Sequence, residues 1–209
     1  MVSADLYLEK IDFQRYLNKT ACEHCGLPSC EAFIKALNAG EKTPRDCAFI
    51  NRNQVYAFEA INSIKALWPQ VPLLLHPRPG FYGLIELNNP GPASPVVLSG
   101  NNEYTEQVLM TVLGTTVCPF FVLFVNTEGN TVDMAMIYQT LTAERVYTAL
   151  KETGLGGKSE ARAFIIPGLA ASLKDDIERL TGWHVRVGPV CAAELPLFLS
   201  ESWIPPDTI

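Results

Sequence analysis

Positive charge is in short supply in this chain. Sixteen Lys and Arg stand against 22 Asp and Glu, a formal net charge of −6 over 209 residues. The basic footprint of a nucleic-acid binder is therefore missing, and no like-charge block marks an interaction tail. Long apolar runs are missing too. The longest, Val117–Val125, is interrupted by Pro119 and falls well short of the roughly 18 residues that cross a bilayer. The N-terminal stretch MVSADLYLEKIDFQRYL has no basic region followed by an apolar one, so no signal peptide is expected and the expected compartment is the cytoplasm. No membrane and no nucleic acid are expected as partners. Histidine is scarce, with three residues, and there is no G-x-S-x-G, Walker A or H-E-x-x-H motif. Gly154, Gly156 and Gly157 follow a helical stretch rather than a strand, which excludes a dinucleotide-binding turn. Glu128 and Asp133 have no partner spaced for acid–base work. No catalytic residue is assigned.

What is abundant is cysteine in one place and proline in another. Of six cysteines, four fall between Cys22 and Cys47. Prolines cluster at Pro69, Pro72, Pro77 and Pro79, then at Pro90, Pro92 and Pro95. Proline removes a backbone donor and fixes φ, so these stretches are not interior helix or central strand. The expected organisation is a small N-terminal unit over 1–66, a proline-rich connector over 67–94 and a larger unit over 95–209. Within the connector PLLLHP and FYGLIEL are candidate short strands.

The larger unit alternates two signals. Short apolar runs at 95–100, 120–125, 163–166 and 184–187 predict strands. Helical spacing predicts helices over 103–113, 142–150, 172–180 and 192–199. The fold class expected is α/β: a small N-terminal domain plus a doubly wound, Rossmann-like sheet with parallel strands. Ligands of such sheets bind outside the carboxyl ends of the strands. The candidate cofactor-binding residues are therefore Ser99, Gly100 and Asn101; Asn126, Thr127 and Gly129; Gly168, Leu169 and Ala170; and Gly188 and Pro189.

The cysteine spacing is Cys22-x2-Cys25-x4-Cys30-x16-Cys47. Four thiolates this close can enclose a metal site, either zinc or an iron–sulfur cluster. A zinc ribbon presents two C-x2-C knuckles and this chain has one. Three close cysteines and a distant fourth suit a [4Fe-4S] cubane, with one thiolate per iron. Gly26 and Pro28 bend the loop, Ser29 is placed to cap a helix starting near Cys30, Gly40 ends it, and Pro44 turns the chain back to Cys47. A zinc staple and buried thiols remain the alternatives. Cys118 and Cys191 stand apart and read as small buried hydrophobes. Cys191 gains interest only if it faces a ligand pocket.

At these residues the chain resembles a known family. CEHCGLPSCEAFIKALNAGEKTPRDC is similar to the [4Fe-4S] segment of the large (gamma) subunit of the corrinoid iron–sulfur protein of the acetyl-CoA decarbonylase/synthase system. A second stretch, from LTAERVYTALKETGL through FIIPGLAASLKDDIERLTGWHVRVGP to AAELPLFL, resembles that subunit's Rossmann-like, corrinoid-binding domain. The resemblance implies a [4Fe-4S] cluster on Cys22, Cys25, Cys30 and Cys47 and a corrinoid (cobamide) on the second domain. Thr140 and Leu141, just before the matched helix, join the candidate cofactor-binding residues. It also implies a methyltransferase or an electron-donor protein as partner.

Two departures stand out. The family's subunit carries a barrel between its two matched segments, and here too few residues separate them for a fold of about 250 residues. The expectation is a reduced, stand-alone relative. Corrinoid-binding relatives carry small, glycine-bearing residues before the matched helix, whereas this chain has the bulky Met134, Met136, Ile137 and Tyr138. The leading expectation is a cobamide-binding methyl carrier whose cluster reductively activates cobalt. The alternative is an iron–sulfur electron-transfer or interaction protein whose C-terminal domain binds no corrinoid.

Overall fold

A computed structural model describes residues 2–3, 7–8, 11–17, 24–68, 70–71 and 77–206. The N-terminal part holds β1 (Val2–Ser3), α1 (Cys30–Asn38), α2 (Arg52–Leu67) and β2 (Gln70–Val71), with β1 antiparallel to β2. Then come β3 (Gly83–Leu87), β4 (Val96–Gly100), α3 (Glu103–Leu113), β5 (Phe120–Val125), α4 (Val132–Ile137), α5 (Ala143–Glu152), β6 (Ala163–Ile166), α6 (Lys174–Thr181), β7 (His184–Val187) and α7 (Leu195–Phe198). No helix among the described residues is long and apolar enough to cross a membrane.

The five-stranded sheet has the order β3-β5-β4-β6-β7. Its last four strands are parallel, and β3 is antiparallel to β5. The strands predicted at 95–100, 120–125, 163–166 and 184–187 all form, the first over Val96–Gly100. Of the connector's two candidates, FYGLIEL supplies edge strand β3. Most of PLLLHP, residues 72–76, lies outside the described residues. The connections from β4 run first to one side, to β5, and then across to β6 on the other. The reversal opens a crevice at the carboxyl ends of β4 and β6.

Both faces of the sheet are covered, which explains the uninterrupted apolar run of β5. One face carries Val97, Phe120, Val122, Phe124 and Ile165 against α2, α3 and α7. The other carries Val96, Leu98, Phe121, Leu123 and Phe164 against α5 and α6. Trp203, fully buried 5.9 Å from Phe120, pins the C-terminal segment beside the first face, and its Nε1 donates to Thr115 Oγ1 at 3.2 Å.

Local signals account for the helix starts. Ser29 accepts from Ala32 N at 3.1 Å, Asn102 from Tyr104 N and Thr105 N, and Thr142 from Arg145 N, each satisfying an otherwise orphaned amide. Asn51 and Gln54 form a reciprocal capping box on α2. Two boundaries depart from expectation, and in the helix predicted over 192–199 a 3₁₀ turn over Ala192–Glu194 precedes the α-helix Leu195–Phe198. The segment predicted as helix from 172 begins as a tight 3₁₀ turn over Gly168–Leu173, and the α-helix starts only at Lys174. The tighter turn buries Ala170.

Phe164 is fully buried on β6 and stacks on Trp183 at 4.6 Å. Phe164→Ala should cost about 3–5 kcal/mol by leaving a cavity at the sheet centre. Urea unfolding checks this, and a loss under about 1 kcal/mol would mean that the site collapses and refills.

Candidate functional site

Two places collect the residues that could do chemistry. The first is the cysteine segment. Cys25 lies in the turn before α1, Cys30 is its first residue, and Cys47 follows the Pro44–Asp46 turn. All three are half-buried and pack on the apolar cluster shared with the sheet. Thr43 N and Oγ1 donate to Asp46 Oδ2 at 2.7 and 2.9 Å, which tightens that turn. Arg45 holds it to α2 through Glu59, at 3.0 and 3.2 Å. Cys22 lies outside the described residues. No three metal-ligating side chains converge among the described residues. Cys25 and Cys47 form no disulfide, whereas Cys30 is disulfide-bonded, so reduction must precede any ligation by Cys30. The donor chemistry, thiols bordering apolar surface with no carboxylate cluster assembled there among the described residues, fits an iron–sulfur cluster. His24 is exposed and meets Phe49 edge-on at 5.1 Å, a neighbour of the segment.

The second place is the carboxyl end of the sheet. Here Asn101 is the node. Its buried Oδ1 accepts from Thr127 N (2.8 Å), Thr127 Oγ1 (3.1 Å) and Gly129 N (3.2 Å). Thr127 Oγ1 shares its one proton with Asn130 O, 2.8 Å away, and Asn130 Nδ2 reaches Thr140 Oγ1 at 3.2 Å. Asn101, Thr127, Gly129 and Thr140 are thus brought together, and they satisfy one another.

The connector then crosses this end. Arg78 N donates to Gly129 O (2.9 Å), Gly80 N to Asn101 O (2.6 Å) and Glu103 N to Arg78 O (2.9 Å). Pro79 forms an isolated antiparallel bridge with Asn102. The approach is close enough to require Gly129, which sits at φ +76°. A Cβ there would lie 2.4 Å from Pro79 N. Gly168 serves the same end at β6 and β7, where a Cβ would lie 2.8 Å from Val190 N, and Gly168 N donates to Pro189 O at 2.8 Å. Leu141 and Ala170 are buried in the core, Gly188 packs on Ile166 O, and Asn126 is exposed with its carbonyl accepting from Arg145.

Beside the connector, over β4 and β6, a cavity of about 400 Å³ remains. Of the sequence-derived candidates, Ser99, Leu169 and Pro189 line it. Cys191 also faces it, the circumstance that makes that residue of interest, although burial pushes its thiol up to about 11 and leaves it unreactive. Among the other lining residues, Tyr7, Trp68 and Thr131 escaped the sequence reading, and Asp133, read there as lacking an acid–base partner, has polar neighbours here. Asp133 Oδ1 accepts from Thr131 Oγ1 at 2.5 Å, and Tyr7 donates to Asp133 Oδ2 at 3.5 Å. Burial, then the Asp133 carboxylate, raises the Tyr7 phenol above its ordinary pKa. The Thr-x-Asp spacing was a readable local signal. Nothing local announces Trp68 or Tyr7, which arrive from the N-terminal part.

Comparison with known proteins now becomes decisive. The family model described as CO dehydrogenase/acetyl-CoA synthase delta subunit matches residues 69–199, more than half of the chain. The chain belongs to that family. A second model, for an Fe-S cluster segment, matches residues 17–49 and so spans all four clustered cysteines. Among relatives, the acetyl-CoA decarbonylase/synthase complex subunit gamma of Archaeoglobus fulgidus is 33% identical over 139 residues, 66% of this chain and 28% of that protein. Its counterpart in Methanopyrus kandleri is 34% identical over 57% of this chain and 26% of its own length. The corrinoid/iron-sulfur protein large subunit of Moorella thermoacetica is 32% identical over 62% of this chain and 28% of its own. The matched region therefore spans little more than a quarter of these relatives. The family's resemblance noted from the sequence holds, and this member places the connector across its own strand ends.

That crossing is testable. Gly129→Ala forces a Cβ into Pro79 and a left-handed φ on alanine, together expected to cost about 2 kcal/mol or more. Chymotrypsin should then cut faster after Phe81 or Tyr82, whose segment Phe81 N secures by donating to Glu106 at 2.9 Å. Unchanged melting and proteolysis would show that the connector does not depend on this contact.

Proposed function

We propose that this chain is an iron–sulfur, single-electron carrier of cobamide-linked one-carbon metabolism. Cys22, Cys25, Cys30 and Cys47 would hold one [4Fe-4S] cluster. When bound, such a cluster supplies one-electron transfer. Once reduced, the thiolates would be held half-shielded on an apolar bed, which limits water and tunes the potential. The observation that carries this reading is the match of residues 17–49 to the Fe-S segment, together with Cys25, Cys30 and Cys47 packed on one apolar cluster.

The relatives are named as subunits of a complex and as a corrinoid/iron-sulfur protein, so the partner class proposed is a corrinoid-bearing methyltransferase component or an electron donor to it. The proposed architecture is a cluster unit over 1–66, the connector over 67–94 and a Rossmann-like unit over 95–209.

A cobamide on the chain itself does not fit the face as folded. Arg78–Gly80 lies across the ends of β4 and β5, and the cavity over β4 and β6 is smaller than a corrin ring with its amide arms. Ile137 and Tyr138, where a flat ring would need small residues, stand 70% and 60% exposed. The methyl-carrier reading is kept as the second one because the family match covers the whole sheet domain.

Strictly anaerobic preparation under reducing conditions should give about four irons and four sulfides per chain and a broad absorption near 400 nm. Cys→Ala at any of the four positions should lose or convert the cluster. Stoichiometric zinc without iron would sink the proposal. Titration of the same protein with a cobamide under reducing conditions separates the two readings: no binding at micromolar levels supports the carrier of electrons, and tight binding restores the methyl carrier.

A further inference from the structure

The two edges of the five-stranded sheet are finished differently. On β7, His184 N and Gly188 N donate inward, to Arg162 O and Ile166 O, so Val185 turns its backbone outward. Both of its groups are covered. Val185 N donates to Glu178 Oε1 at 2.8 Å, and Lys174 Nζ donates to Val185 O at 3.0 Å. No further strand can add to that edge without displacing this ion pair.

The β3 edge has no such cover. On β5, Phe121 N donates to Pro95 O and Val125 O accepts from Asn101 N, both on the β4 side, so Phe120, Val122 and Phe124 bond towards β3. Their partners in register are Leu87, Ile85 and Gly83. Leu84 and Glu86 therefore turn their backbone groups away from the sheet, and no described residue bonds to them there. The Glu86 carboxylate, which could guard the edge, is drawn aside by Lys158. Of the nine large hydrophobic side chains exposed among the described residues, four border this strand. Phe81 and Tyr82 lead into it. At its other end Asn88 Nδ2 donates to Thr116 O and Cys118 O, which brings up the exposed Val117, and Val117 N donates to the carbonyl of the exposed Ile204.

These features select the occupant. Antiparallel pairing with a second copy sets Phe81 and Tyr82 of each chain against the Val117 end of the other, so twofold symmetry covers both apolar ends at once. Centring the pair on Glu86 would oppose two carboxylates, which is destabilising. With Ile85 on the axis the whole of β3 is used, and Leu84 of each copy faces Glu86 of the other.

We propose that β3 is a dimerisation edge, along which two copies of this chain pair antiparallel over Gly83–Leu87 into one continuous sheet. Leu84 N and Glu86 N of each copy then donate across the junction. So small a contact belongs to the weak, reversible class, with a dissociation constant of about 10–100 µM. It draws on neither the cluster cysteines nor the crevice at the strand ends.

The test is sedimentation velocity on the full chain, reduced and anaerobic so that no cysteine links two copies. The mean mass should rise from monomer towards dimer between about 5 and 500 µM. Over the same range the Leu84 and Glu86 amides should exchange with deuterium about threefold or more slowly. Glu86→Pro removes one of these donors at an edge position that tolerates proline, and should weaken dimerisation about tenfold or more. Val117→Glu, outside the strand, should weaken it about fivefold or more with unchanged circular dichroism. A monomer up to about 500 µM would overturn the proposal and leave the edge to a strand of another protein. So would a dimer that both variants leave unweakened, or Leu84 and Glu86 amides that exchange alike at both concentrations.

Discussion

The Asn101 carboxamide at the end of β4 organises the carboxyl end of the sheet. One buried oxygen accepts from Thr127 N, Thr127 Oγ1 and Gly129 N, while the residue's own carbonyl accepts from Gly80. Strand end, neighbouring loop and connector are thereby fixed by a single side chain in a place without water to compete. Its neighbour Asn102 extends the arrangement by capping α3 and donating to Gly129 O at 2.7 Å. Everything else about the face follows from this knot: where the connector lies, which strand ends are closed, and which crevice stays open.

The closure bears on function because a doubly covered parallel sheet concentrates its binding capacity at its strand ends. Here one half of that edge is filled by the chain itself and the other half is an apolar cavity bordered by the buried, unpartnered Trp68 Nε1. The relatives matched by this chain are about four times as long as the matched region. Arg78–Gly80, Tyr7 and Trp68 lie over the strand ends described here.

The cysteine segment is anchored to the same body. Helix α2, which follows Cys47, packs on α3 and α7, and Tyr16 donates to the buried Glu194 at 2.5 Å. Burial, the Glu194 hydrogen bond and its charge together hold the Tyr16 phenol protonated well beyond its ordinary range. Electron transfer depends on fixed distances. A segment tied by apolar packing and buried hydrogen bonds holds its distance to the sheet far better than one on a free linker.

Much of this was legible in the chain. β4, β5, β6 and β7 could be read because each is a short apolar run bounded by Pro, Gly or Asn, and burial on both faces removes the ambiguity of alternation. The cysteine set could be read because ligand spacing is a local property. The start of α6 was misplaced by two residues because Leu173 carries no capping side chain to mark it. The use of Gly129 to admit Pro79, the closure of the β4 and β5 ends, and the meeting of Trp68 with Ser99 were beyond any local signal. Such contacts join residues about 20 to 50 positions apart. They are decided by which segment wins the space above the strand ends, and that competition exists only once the sheet has formed.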